Sequence, residues 1–197
     1  MYLYPCKPNT LTPDSKLSDE LDRDIGWIAE VKKNGWRALP TKDEKGNLTI
    51  WTRHKTLIKD AVPELREALI SMMPAGTILD GELINNRTKG VNGKLYLFDI
   101  IVLEGRLLVN LPLRERRKLL EGVVVEGPHI ELARQVRVGK KQLYYQSIEG
   151  EESEGIVIKR LDSKYPASEK SCLQHPYWLK VKRIENHVKT NTKGEKP

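Results

Sequence analysis

The chain has 197 residues, enough for one large domain or two small ones. Hydrophobic residues are 39% and charged residues 31%, so a real core is possible, while no apolar run approaches the ~18 residues of a membrane span. The net charge is +7, the two cysteines Cys6 and Cys172 make no disulfide framework, and Pro5 breaks the opening residues too early for a secretory signal, so an intracellular, cytoplasmic chain without a membrane partner is expected.

The first stretch, residues 1–24, is rich in Pro, Asp and Ser and reads as an N-terminal arm. Strand-like runs follow at Trp27–Val31, Asn47–Thr52, Thr77–Leu79 and Lys94–Val102. Between the second and third, Asp60–Met73 carries Val62, Leu65, Leu69 and Met72 or Met73 at helical spacing, with Pro63 in the first turn and Asp60 as its expected cap. The sequence predicts a second helix over Pro112–Glu121 with Leu113, Leu119 and Leu120 inward, a strand over His129–Val138 and a helix over Lys140–Ile148. The last strands are Ile156–Lys159 and Tyr177–Val181. Strands dominate without regular strand–helix alternation, which predicts an α+β domain of antiparallel sheets flanked by helices over residues 25–185. Residues 186–197 read as a polar, disordered tail. From Lys159 to Pro197 there are ten Lys/Arg against four Asp/Glu, so nearly all the positive excess sits in the last fifth. Such a segment either faces phosphates or is a solvated tail.

Four islands carry chemistry. The first is Glu30-Val31-Lys32-Lys33-Asn34-Gly35-Trp36-Arg37. Lys32 ends a strand before a glycine turn, so its amine can point into a cleft, and a lysine amine is a nucleophile once deprotonated, which nearby cations favour. The second, Leu79-Asp80-Gly81-Glu82, and the fourth, Glu154 to Lys159, offer Glu82 and Glu154 as oxygen ligands for a hard divalent cation. The third, Leu95 to Asp99, holds Phe98, the only phenylalanine of the chain, which could stack a base. Along Tyr177–Lys182 a period of two puts Trp178, Lys180 and Lys182 on one face. With Lys159, these lysines could meet phosphate oxygens. Each island also has a plain reading: a chance turn, a strand connection, a core phenylalanine, an exposed edge. The four histidines are scattered and make no metal site by spacing.

Together, and in this order, the islands resemble motifs I, III, IIIa, IV and V of the covalent nucleotidyltransferase superfamily, which comprises DNA ligases, RNA ligases and mRNA capping enzymes. They are most similar to ATP-dependent DNA ligases, notably the ligase domain of bacterial end-joining enzymes. Gly105-Arg106-Leu107-Leu108 with Leu111-Pro112-Leu113-Arg114-Glu115-Arg116 resembles the linker after motif IIIa, and Thr52-Arg53-His54 resembles motif Ia. The resemblance implies an ATP-grasp-like nucleotidyltransferase domain in which Lys32 takes AMP covalently from ATP and the AMP passes to a 5′-phosphate end. It implies that Glu30 reads the adenine amino group, Arg37 the ribose or phosphate side, and Arg53 the nucleotide and later the nicked strand. Glu82 would hold the ribose hydroxyl or the metal, Glu154 the metal (Mg2+ or Mn2+), and Phe98 the adenine ring; Lys159, Lys180 and Lys182 would neutralise phosphates. The implied partner is nicked nucleic acid, DNA ahead of RNA, bound by a monomer. Alternatives within the resemblance are an RNA ligase, an mRNA guanylyltransferase, or an idle nucleic-acid-binding remnant. Two departures stand out. Asn34 replaces the usual Asp, as in some RNA ligases. Only 15 residues follow Lys182, too few for an OB-fold of five strands of about five residues each, so no OB-fold domain is expected here and a separate OB-fold or repair partner could supply one.

Overall fold

Apolar residues at every second position make strands with one face to bury, and the strands of this chain sort into two sheets. The computed structural model describes residues 2–11, 17–88, 90–149 and 153–183. In chain order its elements are β1 (Lys7–Thr10), α1 (Asp19–Arg23), β2 (Trp27–Lys33), β3 (Trp36–Lys42), β4 (Leu48–Thr52), α2 (Pro63–Met72), β5 (Thr77–Thr88), β6 (Val91–Leu103), β7 (Arg106–Leu107), α3 (Leu113–Val123), β8 (Ile130–Leu132), β9 (Gln135–Val136), α4 (Lys140–Glu149), β10 (Ser153–Arg160) and β11 (Gln174–Lys182). The first sheet runs β1-β11-β10-β2-β9 and the second β4-β3-β5-β6-β7, with β8 joined to β6. The expected α+β class is found. The sheets are mixed rather than purely antiparallel, because β1 lies parallel to β11 and β8 parallel to β6.

Alternation decides what each face meets. In β5 and β6, Leu79, Leu83, Leu95 and Leu97 turn to one side and pack with Leu65 and Leu69 of α2 and Leu120 of α3. On the first sheet, Ala29, Ile156 and Ile158 pack with Leu143 and Tyr144 of α4. The opposite faces of the two sheets look at each other. Ile28, Leu39, Ile101, Tyr165 and Trp178 form an apolar floor between them, and above that floor the same faces carry polar side chains.

Several expectations change. β3 has no clear strand signal in the sequence, because Pro40 sits in its middle and a proline cannot donate to a ladder. The strand survives because the register to β5 pairs Ala38 with Gly81 and Thr41 with Ile78 and leaves Leu39 and Pro40 unpaired on that side. The single strand expected over His129–Val138 is two short ones in different sheets, β8 and β9. Helix α2 has Pro63 in its first turn as expected, but it begins at that residue, its cap is Val62, with no side-chain bond, and Asp60 accepts from Asn85 Nδ2 at 3.2 Å instead. The arm is built into the domain. An unpaired sheet edge seeks backbone partners, and β1 supplies them along β11. Tyr2 Oη donates to the Thr52 carbonyl at 2.7 Å, and the buried Lys140 ammonium donates to the carbonyls of Asp22 and Asp24 at 3.0 Å each. Residues 186–197, read as a tail, lie outside the described residues. No described helix is long and apolar enough to cross a membrane.

His175 makes part of this packing pH-dependent. The residue is 1% exposed and its ring stacks on Trp178 at 4.8 Å. Nδ1 accepts the Tyr177 N–H at 3.0 Å, so Nε2 carries the proton and donates it to the Lys164 carbonyl at 2.9 Å. Burial pushes the imidazole down from 6.5 to about 4. The unfolded chain therefore binds a proton that the folded chain refuses, and the stabilisation is complete above about 6.5 and lost as pH falls toward 4, on the order of 3 kcal/mol in all. Urea midpoints taken from pH 7 down to pH 4 should fall, and His175→Gln should flatten that fall by about this amount.

Candidate active site

The chain changes sheets at Asn34-Gly35, between β2 of the first sheet and β3 of the second. The step needs glycine: a Cβ at Gly35 would lie 2.4 Å from the Leu83 carbonyl oxygen and 2.7 Å from Ile84 Cδ1. The Gly35 N–H donates to Glu82 Oε1 at 3.1 Å. A second step, at Ala133-Arg134, carries the chain back from β8 to β9. Between these crossings the facing sheets enclose a cavity of about 760 Å³.

All ten residues singled out from the sequence line it: Glu30, Lys32, Arg37, Arg53, Glu82, Phe98, Glu154, Lys159, Lys180 and Lys182. The period of two explains most of this. Glu30 and Lys32 share the β2 face of Ile28; Lys180 and Lys182 share the β11 face of Trp178; Phe98 and Tyr96 share one face of β6. Tyr96 and Trp36 were therefore findable, the one two residues before Phe98, the other directly after the glycine turn. Lys7, Glu131 and Arg134 also line the cavity, but only the packing of β1 and the second crossing brings them there.

The ionic contacts are specific. Lys32 Nζ lies 2.6 Å and Lys182 Nζ 2.9 Å from the same oxygen, Glu154 Oε2. Burial alone would raise the Glu154 carboxyl, but the two lysines outweigh it and hold it below the usual range. Burial, then the charges of Lys182, Lys32 and Arg53, holds Lys180 below the usual lysine range. Burial pushes Glu82 upward more than Arg37 and Lys32 pull it down. Glu30 is buried with both oxygens engaged, Oε2 by Lys159 at 2.5 Å and Oε1 by Gln135 Nε2 at 2.8 Å. Lys159 Nζ also sits 4.4 Å from the Phe98 ring centroid and 4.2 Å from that of Trp178. Arg37 makes a two-pronged pair with buried Asp80, both bonds at 2.5 Å, with its guanidinium 4.7 Å from the Phe98 centroid. Arg53 Nε donates to His54 Nε2 at 3.0 Å. Cys6 also lines the cavity, but burial raises its thiol to about 12, so it is no nucleophile. Among the described residues no three His, Cys, Asp or Glu side chains gather as a metal site.

Two facing sheets enclosing a lysine-rich cleft define the nucleotidyltransferase domain fold of ligases. The ligase domain of LigD from M. tuberculosis superposes with a TM-score of 0.64 at 23% identity, over 91% of this chain and 59% of that one. The ATP-dependent DNA ligase of bacteriophage T7, solved with ATP, gives 0.58 at 20% identity, over 91% and 68%. Residues 84–182 match the family described as ATP dependent DNA ligase domain, and the chain belongs to that family. The DNA ligase of Thermococcus fumicolans is 30% identical over 90% of this chain and 36% of its own length. The SPbeta prophage-derived DNA ligase-like protein LigB of Bacillus subtilis is 28% identical over 80% of this chain. The chain thus spans 62% of the Bacillus protein and about a third of the archaeal one. The family match takes in Phe98, Glu154, Lys159, Lys180 and Lys182 and begins beyond Lys32.

The Glu30–Lys159 pair, 4% and 2% exposed by side chain, sets a stability test. Removing one partner of a buried pair leaves an uncompensated charge and costs about 3–5 kcal/mol. Lys159→Met should lower denaturant stability by about that much, and adding Glu30→Gln should restore most of it.

Proposed function

We propose that this chain is the adenylation core of an ATP-dependent DNA ligase, with Lys32 as the residue that carries AMP. The observation that carries the reading is the cavity itself, which gathers Lys32, its neighbouring cations and the two glutamates on facing sheets. In this reading Lys32 Nζ attacks the α-phosphorus of ATP; the N–P bond forms as the bond to the departing pyrophosphate breaks. Lys180 and Lys182 lie where they meet the charge that builds on the phosphate oxygens. AMP then passes to the 5′-phosphate of a nick, and the adjacent 3′-hydroxyl displaces it to seal the strand. Arg53, at the rim, faces the nucleotide and the nicked strand in turn.

The base would lie against Phe98, with Glu30 reading the adenine amino group. Each Glu30 oxygen already accepts one hydrogen bond and a carboxylate oxygen can accept two, so an acceptor remains for the base. Glu82 and Glu154 would hold Mg2+ or Mn2+. They fit the habit of magnesium, which takes one or two carboxylates and completes its shell with substrate phosphates and water. Such an ion would spread the charge that develops on the phosphate.

Two measurements test the reading. Intact-mass spectrometry after ATP and magnesium should show one AMP adduct, and Lys32→Ala should show none; an adduct that survives in the mutant would move the nucleophile to another residue. ATP should label the chain at least about tenfold better than GTP, because guanine puts a carbonyl where the Glu30 acceptor needs a donor and leaves both unpaired. Equal labelling by the two would refute that role of Glu30.

A further inference from the structure

Behind the cavity two buried carboxylates face each other. Asp80 of β5 and Asp99 of β6 are register partners, each 0% exposed. Like charges opposite one another on neighbouring strands repel, and each here is met by its own arginine. Arg116 closes on Asp99 with two bonds at 2.8 Å, and Arg37 closes on Asp80. The two pairs differ in what they reach. The Arg116 side chain is wholly buried, whereas Arg37 is 14% exposed by side chain and lines the cavity beside Phe98.

Tyr165 joins these pairs. It lies in the connection from β10 to β11, 2% exposed. Its hydroxyl donates to Asp80 Oδ2 at 2.7 Å and accepts the Cys6 N–H at 3.3 Å. Its ring meets Trp178 edge-on at 5.8 Å, and the Arg116 guanidinium stands 5.5 Å from its centroid. Burial, with Asp80 next, holds the phenol well above its ordinary range, so it remains a donor at any working pH. A carboxylate gripped only by a guanidinium can swivel with it, because the two planar groups turn as one unit. A third bond to Oδ2, from a residue on the first sheet's side of the cleft, removes that freedom.

We propose that Tyr165 is a positioning residue for the nucleotide: through Asp80 it fixes the plane of the Arg37 guanidinium at the cavity wall. This rests on the cleft being the ATP site. Tyr165 touches no substrate; Arg37 does, on the ribose or phosphate side.

The test follows the rate of AMP adduct formation against ATP concentration in the full chain, for wild type, Tyr165→Phe, Arg37→Ala and the double variant. Phenylalanine keeps the ring packing and removes only the hydroxyl. Tyr165→Phe should raise the apparent KM for ATP about tenfold, the worth of one hydrogen bond to a charged group, with the maximal rate within about twofold. In the Arg37→Ala background the same change should shift KM by less than about twofold, since the arginine through which it acts is gone. An unmoved KM with only a lowered unfolding temperature, or effects that multiply in the double variant, would overturn the assignment by making Tyr165 a packing residue. If Tyr165→Phe does not fold, Tyr165→Met, which also removes the hydroxyl donor and keeps the space apolar, takes its place in the same four-variant comparison, where a KM shift that vanishes without Arg37 supports the assignment and an unmoved KM overturns it. Wild type that forms no adduct at any ATP concentration would refute the ligase reading itself; wild type that does, beside an unmoved Tyr165→Phe, refutes only the role of Tyr165.

Discussion

At Gly35 the backbone passes the Leu83 carbonyl so closely that no side chain fits, and from that contact the rest of the site follows. β2 and β3 are consecutive, yet they belong to different sheets. A turn of two residues is all that separates them, so the sheets are pinned together at one end and open toward the other. Lys32, three residues before the pinch, lines the opening between the sheets. The N–H of that same glycine holds Glu82. One tight step thus places the Lys32 amine and a carboxylate on facing sheets, within one cavity.

Such an opening would ordinarily be filled by apolar residues. Here only its floor is, around Trp178 and Ile28. The walls carry charge, and burying charge is costly unless it is paired. The structure answers with pairs that cross between elements distant in sequence: Glu30 with Lys159, Arg37 with Asp80, Arg116 with Asp99. The Glu154 pairing is of another kind. One carboxylate oxygen serves two lysines, leaving a local excess of positive charge that Lys180 and Arg53 extend. That excess is what an anion such as a nucleotide phosphate would neutralise. The protein thus separates two uses of charge: balanced pairs that hold the walls, and an unbalanced group that faces the cavity.

The N-terminal residues belong to the same scheme. β1 completes the edge of the first sheet along β11, and Tyr2 reaches the Thr52 carbonyl in the second. The segment from Tyr2 to Thr10 therefore touches both walls, and through Cys6 it reaches the Tyr165 hydroxyl as well. Its sequence, full of proline and short of apolar alternation, gives no sign of this, because an edge strand is held by backbone hydrogen bonds that any residue can make.

What the sequence by itself determined was the inventory and its facing. Alternation in β2, β6 and β11 put Glu30 with Lys32, Tyr96 with Phe98, and Lys180 with Lys182, since a strand has only two faces and the apolar residues claim one. The order of the motifs pointed to the family, and all ten residues so chosen line one cavity. What only the tertiary structure decided was the partner of each charge and the path of the chain between sheets. Pro40 concealed β3, and the break at Ala133-Arg134 divided one expected strand between two sheets. Arg37 met Asp80, Lys159 met Glu30, and Tyr165 closed the network behind them. The sequence spacing of these partners, 43, 129 and 85 residues, exceeds the reach of any local periodicity. Which of several cations meets which carboxylate is set by the register of strands that pair only once the sheets have formed.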